Sequence, residues 1–146
     1  ETINDDDQLK KLFMLITSVV GVGFVTAINL IIYTNEFKLF SDVRQLACYC
    51  GVAPFEHTSG TSIKGKTRVS HMANKKLKTN LHMGALTAVK LDPDLKTYYE
   101  RKVAEGKSKM SVLNAVRNKM LARVVAVVKR EMPYQKIYLQ NSLVLS

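Results

Sequence analysis

These 146 residues contain no tryptophan, two cysteines and three prolines. Cys48 and Cys50 cannot staple a scaffold: two residues apart on a helix they point away from each other, so both read as reduced core residues of a cytosolic chain. Seven glycines without a repeat exclude a collagen-like chain, and 47% hydrophobic content excludes intrinsic disorder while allowing one domain with a real core. Acidic residues are also scarce, 12 against 22 Lys and Arg, for a formal charge of +10. Between Glu56 and Asp92 there is none, while Lys64, Lys66, Arg68, Lys75, Lys76, Lys78 and Lys90 fall in that window. A patch of one sign attracts a polyanion, nucleic acid first among them. A solvated basic face without a ligand stays open as the plainer reading. A membrane surface fits poorly, because no exposed Trp/Phe face opposes the charges.

Formal charge is missing from Leu12 to Asn35, a length that could span a bilayer. Thr17, Ser18, Thr26, Asn29 and the Gly21-Val22-Gly23 punctuation argue against a spanning helix. Asp5, Asp6 and Asp7 precede the run where a secretory signal needs positive charge. The first residue is Glu, which suggests a piece of a longer protein.

Periodicity predicts a mainly α chain: residues 1–8 a linker or disordered, 9–132 one domain, 133–146 a tail. Leu9, Leu12, Phe13 and Ile16 mark one helical face, and Phe24, Ala27, Ile28 and Ile31 the next. A third helix is expected from an N-cap at Ser41, carrying Val43, Leu46, Ala47 and Cys50 inward and stopping at Gly51. From Val52 to Ser70, Pro54, Gly60, Gly65 and many Ser/Thr predict an irregular loop or short hairpin, which includes Ser59. Helical spacing returns at Asn74 with Leu77, Leu81, Ala85 and Ala88 inward and Lys75, Lys78 and His82 on another face. Asp92-Pro93 opens a short helix ending near Gly106. Ser108 caps a long one with Leu113, Met120, Val124, Val127 and Val128, which Pro133 ends.

Two segments carry candidate chemistry. Residues 9–34, with Gly21-Val22-Gly23-Phe24 between two amphipathic stretches, resemble a helix-hairpin-helix. Its glycines turn tightly, and its exposed amides, with the start of the second helix, would hold a nucleic-acid phosphate. A plain glycine-containing helical turn is the alternative. In the second segment Ser59 precedes a glycine and is followed by Lys64, Lys66 and Arg68. A serine attacking a phosphodiester needs cations around the phosphoryl oxygens, and His57 is a candidate for proton handling. A Ser/Thr-rich surface loop is the competing reading. No Gly-x-Ser-x-Gly elbow occurs, and Cys48, Cys50, His71 and His82 have no metal-ligand spacing, so no metal is expected in this chain. Tyr98 and Tyr99 read as packing residues.

In order, the Gly-Val-Gly hairpin, Phe40-Ser41-Asp42-Val43-Arg44-Gln45-Leu46-Ala47, Gly51-Val52-Ala53-Pro54, Thr58-Ser59-Gly60, the Lys64-to-Arg68 stretch and Asn74 resemble a known series. It is that of the C-terminal transposase domain of the insertion-sequence one-ten, one-sixteen and nine-oh-two family. The resemblance implies a DNA transposase or recombinase of the serine type. Ser59 would be the nucleophile, and Asn74, Lys75 and Lys78 would join the hairpin in binding nucleic acid. It further implies a structured guide RNA, a homo-oligomer, and a divalent metal such as magnesium in an N-terminal RuvC-like domain outside this chain. The location implied is cytoplasmic and nucleoid-associated, and the fragment alone would be inactive. Where the family tends to carry Lys-Arg-Gly-Asn, this chain has His71-Met72-Ala73-Asn74. A non-catalytic helix-hairpin-helix module, and a domain that meets an acidic protein, are the alternatives.

Overall fold

Six α-helices account for most of the described residues, which in this computed structural model are 2–40, 42–52 and 74–135. In chain order they are α1 (Thr2–Thr17), α2 (Phe24–Tyr33), α3 (Val43–Tyr49), α4 (Lys75–Leu91), α5 (Pro93–Ala104) and α6 (Lys109–Arg130). No strand occurs among the described residues, and the chain is mainly α. The expected loop or hairpin at Ser59 falls in 53–73 and lies outside the described residues, as do Ser41 and 136–146.

Local side-chain chemistry starts the helices. The Asn74 side chain accepts from Leu77 N–H at 3.0 Å, Ser108 from Ser111 N–H at 3.2 Å, and Asp92 from the amides of Asp94 and Leu95 just before Pro93. Each satisfies an amide that has no helical partner. The start of α3 differs from expectation. Its cap is Asp42, not Ser41, with Oδ1 accepting from Gln45 N–H at 2.8 Å. A carboxylate there also meets the positive end of the helix dipole. At the other end Gly51 has φ 72°, the left-handed residue that commonly closes a helix.

The first two apolar stripes are displaced from their expected positions. Helix α1 takes in residues 2–8, and only its second half lies over the core: Leu15 and Ile16 are buried while Leu9 is exposed. On α2 the buried residues are Thr26, Ala27 and Leu30. Phe24 remains 67% exposed, because it sits in the first turn beyond the edge of the core, its ring edge-on to Phe13 with centroids 5.2 Å apart. The charge-free run is divided between α1 and α2, and no described helix is long and apolar enough to cross a membrane. Beyond α2 the chain reverses through Asn35, Glu36 and Phe37, all at positive φ.

Helices α4, α5 and α6 form the centre. Leu77, Leu81, Ala85 and Ala88 of α4 and Val116, Met120, Val124 and Val127 of α6 are fully buried. A Cβ placed on Gly84 of α4 would lie 2.9 Å from Met120 Cε, and Asp92, just past α4, accepts from Arg123 at 2.8 Å. Contacts therefore advance together along both helices, so α4 and α6 run in the same direction and α5 returns between their ends. The starts of α4 and α6 and the end of α5 share one end of this trio. At the opposite end Arg123 also lies 4.6 Å from the Tyr134 ring centroid, and Tyr134 N–H donates to Ser18 Oγ at 2.8 Å. The start of the tail is thereby tied to the end of α1.

Candidate nucleic-acid interface

The hairpin between α1 and α2 is a tight turn. Val22 N–H donates to Val19 O at 3.0 Å, and Gly21, the third residue, has φ 96°, as a type II turn requires. Gly21 faces inward: a Cβ on it would meet Gly84 O at 2.7 Å and Met120 Cε at 2.8 Å. Its glycine identity thus serves the approach of the hairpin to α4, and Val22 is buried beside it. Gly23 and Phe24 have the opposite setting. Gly23 is the cap of α2, has no side chain to close the helix, and a Cβ there would meet nothing within 4 Å. The first helical bond is Ala27 N–H to Gly23 O at 2.9 Å, so the amides from Gly23 to Thr26 precede it. Of the four hairpin residues expected to bind phosphate, Gly23 and Phe24 lie at an open helix start, while Gly21 and Val22 are taken up by the fold.

The start of α4 carries the second cationic feature. Lys75, Lys76 and Lys78 are exposed in its opening residues, with no acidic residue in the first turn. Positive side chains at the positive end of a helix are unfavourable by about 0.3–1 kcal/mol each. Asn74, beside them, uses Oδ1 to cap Leu77 and Nδ2 to reach Tyr49 OH at 3.4 Å, so its amide holds the fold together.

The two ends of the segment that carries Ser59 are fastened to one place. Val52 N–H donates to Ala47 O at 3.0 Å, and the Val52 carbonyl accepts from the side-chain amides of Asn114 and Asn118 on α6. At the return, Asn74 N–H donates to Tyr49 O at 2.7 Å. Chain exit and re-entry thus meet at the end of α3, beside the lysines of α4. His57, Ser59, Lys64, Lys66 and Arg68 lie outside the described residues.

Sequence reasoning missed Arg117. It interrupts the apolar stripe of α6 between Leu113 and Leu121, and is only 5% exposed, with its Nε buried and unpaired. Burial pulls its pKa downward. An arginine at a stripe position was the available signal. On α6 it falls between Asn114 and Asn118, the two residues that hold Val52.

Among the described residues no three His, Cys, Asp or Glu side chains come together as a metal-ligand set.

Comparison with known proteins gives this arrangement a context. Residues 14–100 match the model of the Transposase IS116/IS110/IS902 family. The pilin gene-inverting protein of Moraxella lacunata is 27% identical over 137 residues, covering 93% of this chain and 42% of that one. The insertion element IS110 uncharacterized 43.6 kDa protein of Streptomyces coelicolor is 31% identical over 115 residues, 79% of this chain and 28% of that one. The transposase for insertion sequence element IS1111A of Coxiella burnetii is 28% identical over 123 residues, 82% and 34% respectively. The chain spans less than half the length of each of these relatives. The family match runs through the hairpin, the anchored segment and the lysine-led helix without a break, and the chain belongs to the IS116/IS110/IS902 transposase family.

Proposed function

We propose that this chain is the nucleic-acid-handling C-terminal part of a transposase or recombinase that cuts and rejoins DNA, with Ser59 as its nucleophile. Inverting a gene, for which the Moraxella relative is named, and moving an insertion element both require strands to be broken and resealed. In the proposed step Ser59 Oγ attacks a backbone phosphorus and the bond from phosphorus to the 3′-oxygen breaks. The products are a phosphoserine link and a 3′-hydroxyl that takes up a proton. Lys64, Lys66 and Arg68 would offset charge on the phosphoryl oxygens, and His57 would relay the serine proton. The full-length protein would act as a homo-oligomer on DNA in the nucleoid, with a guide RNA and with magnesium held by a separate domain.

The observation that carries the nucleic-acid reading is the trio Lys75, Lys76 and Lys78 at the start of α4. Their placement costs the helix stability, whereas a bound phosphate at the same helix end gains from both the cations and the dipole. Lys75→Glu/Lys76→Glu should therefore raise stability by about 0.5–2 kcal/mol and weaken binding of duplex DNA tenfold or more. Unchanged affinity would remove this surface from the interface.

The hairpin has a parallel test. Gly23→Asp supplies a cap and a negative charge, so it should stabilise α2 and repel phosphate. For the chemistry, full-length protein with its RNA and DNA is trapped with denaturant, and covalent adducts should vanish in Ser59→Ala. Adducts that persist identify another nucleophile. If no adduct forms even with Ser59 intact, while DNA binding remains sensitive to Gly23→Asp, the chain is a non-catalytic binding module.

A further inference from the structure

The acid-free window of the sequence ends at Asp92, yet the fold gathers a further set of cations beyond it. Tyr98 of α5 is half-buried, and its ring is approached by three positive groups from two helices. Lys119 Nζ of α6 lies 4.5 Å from the ring centroid, Arg101 Cζ 5.8 Å and Lys102 Nζ 6.0 Å. Lys102 has a counter-charge in Glu105 at 3.4 Å. Arg101 and Lys119 have no carboxylate partner among the described residues and are exposed. A ring face attracts one cation modestly; several gathered on the same ring repel one another, and that repulsion is relieved by an anion bridging them. Helix direction adds partial continuity: Arg101 lies in the last turn of α5, toward the end of the trio where Lys75, Lys76 and Lys78 open α4, and Lys119 stands midway along α6.

We propose that the α5–α6 face bearing Tyr98, Arg101 and Lys119 is a second nucleic-acid contact. It takes the phosphodiester backbone of a strand and extends the track that begins at the α4 lysines. The inference rests on the nucleic-acid reading above. Tyr98 acts as a positioning residue: its ring holds Lys119 over α5, and the two unpaired cations meet successive phosphates. Ribose and deoxyribose strands present the same phosphate chemistry, so the source is decided by the probe.

The experiment uses the 146-residue chain and fluorescence anisotropy with a mixed-sequence single-stranded RNA, a single-stranded DNA and a duplex DNA, each across a salt series. Arg101→Gln/Lys119→Gln should weaken binding of at least one probe about tenfold. It should also lower the slope of log affinity against log salt by about 1.4 on a single strand or 1.8 on a duplex, as loss of two phosphate contacts requires. Loss confined to RNA assigns the face to RNA, and loss confined to either DNA assigns it to DNA. Tyr98→Phe should bind as the native chain does, whereas Tyr98→Leu should share part of the loss. An unchanged affinity and slope with all three probes overturns the proposal. If Lys75→Glu/Lys76→Glu still weakens binding in that case, this inference alone falls. If the native chain binds none of the probes, the parent reading falls with it.

Discussion

Replacing Gly84 by alanine tests the packing that places the hairpin. In an exposed helix the change would be favourable by about 1 kcal/mol. Here the added Cβ would run into the Gly21 carbonyl oxygen and stand 2.9 Å from Met120 Cε. Met120 is flexible and can turn aside, but the carbonyl belongs to a turn closed by the Val19–Val22 hydrogen bond, with Val22 buried. Backbone must move, so the overpacking cost of about 1–3 kcal/mol applies at its upper end and outweighs the propensity gain. The expected net loss is about 1–2 kcal/mol, or a Tm lower by about 3–8 °C at this chain length. Gly21→Ala meets the same contact from the other side at a φ of 96°, which adds about 1–2 kcal/mol of backbone strain. Gly23→Ala, whose Cβ points into open space, should cost under about 1 kcal/mol. Urea titration followed by circular dichroism ranks the three. A Gly84→Ala chain at or above native stability would refute the close approach of hairpin and α4.

The Asp92 carboxyl is buried, which raises its pKa, but the Leu95 amide, the hydrogen bond and charge of Arg123 and the Asp94 amide outweigh this and hold it below the ordinary carboxylate value. Its stabilising contribution is therefore present above the unfolded pKa and lost as pH falls through the lower folded one. Asp92→Asn should cost about 1–3 kcal/mol at pH 7 and flatten the fall in stability between neutral and strongly acid pH, as read from urea midpoints. Cys50 is buried and its thiol is pushed up to about 12, whereas Cys48 is half-buried. A thiol reagent at pH 8 should label Cys48 first and reach Cys50 only on unfolding, and equal rates would contradict the packing of α3. Glu36 has φ 58° between two other left-handed residues. Glu36→Gly should leave stability level or raise it by up to about 1 kcal/mol, the released strain exceeding the added chain entropy. A clear loss in thermal melts would show that the side chain contributes to the turn.

What the sequence alone determined is local. The helix starts at Asn74 and Asp92-Pro93, the cap at Ser108, the stop at Gly51 and the inward set Leu77, Leu81, Ala85 and Ala88 depend on residues within one or two turns, and all stand where the pattern placed them. The family was legible for a related reason, since an ordered series of short segments survives in sequence without reference to space. Ser41 against Asp42 shows the limit of such reasoning, because neighbouring residues can both cap and the helix start selects one.

Tertiary structure decided the rest. The hairpin motif shows two glycines, but that Gly21 packs against Gly84, far along the chain, follows only from the folded arrangement. Phe24 fitted an apolar stripe, but its turn of α2 projects past the core. Arg117, the Asn114–Asn118 grip on Val52 and the meeting of Tyr98 with Lys119 depend on which helices lie side by side and in which direction. A helical repeat specifies which face of a helix is apolar. It does not specify which neighbour covers that face, and pairing of that kind arises only when the helices compete for the same buried volume.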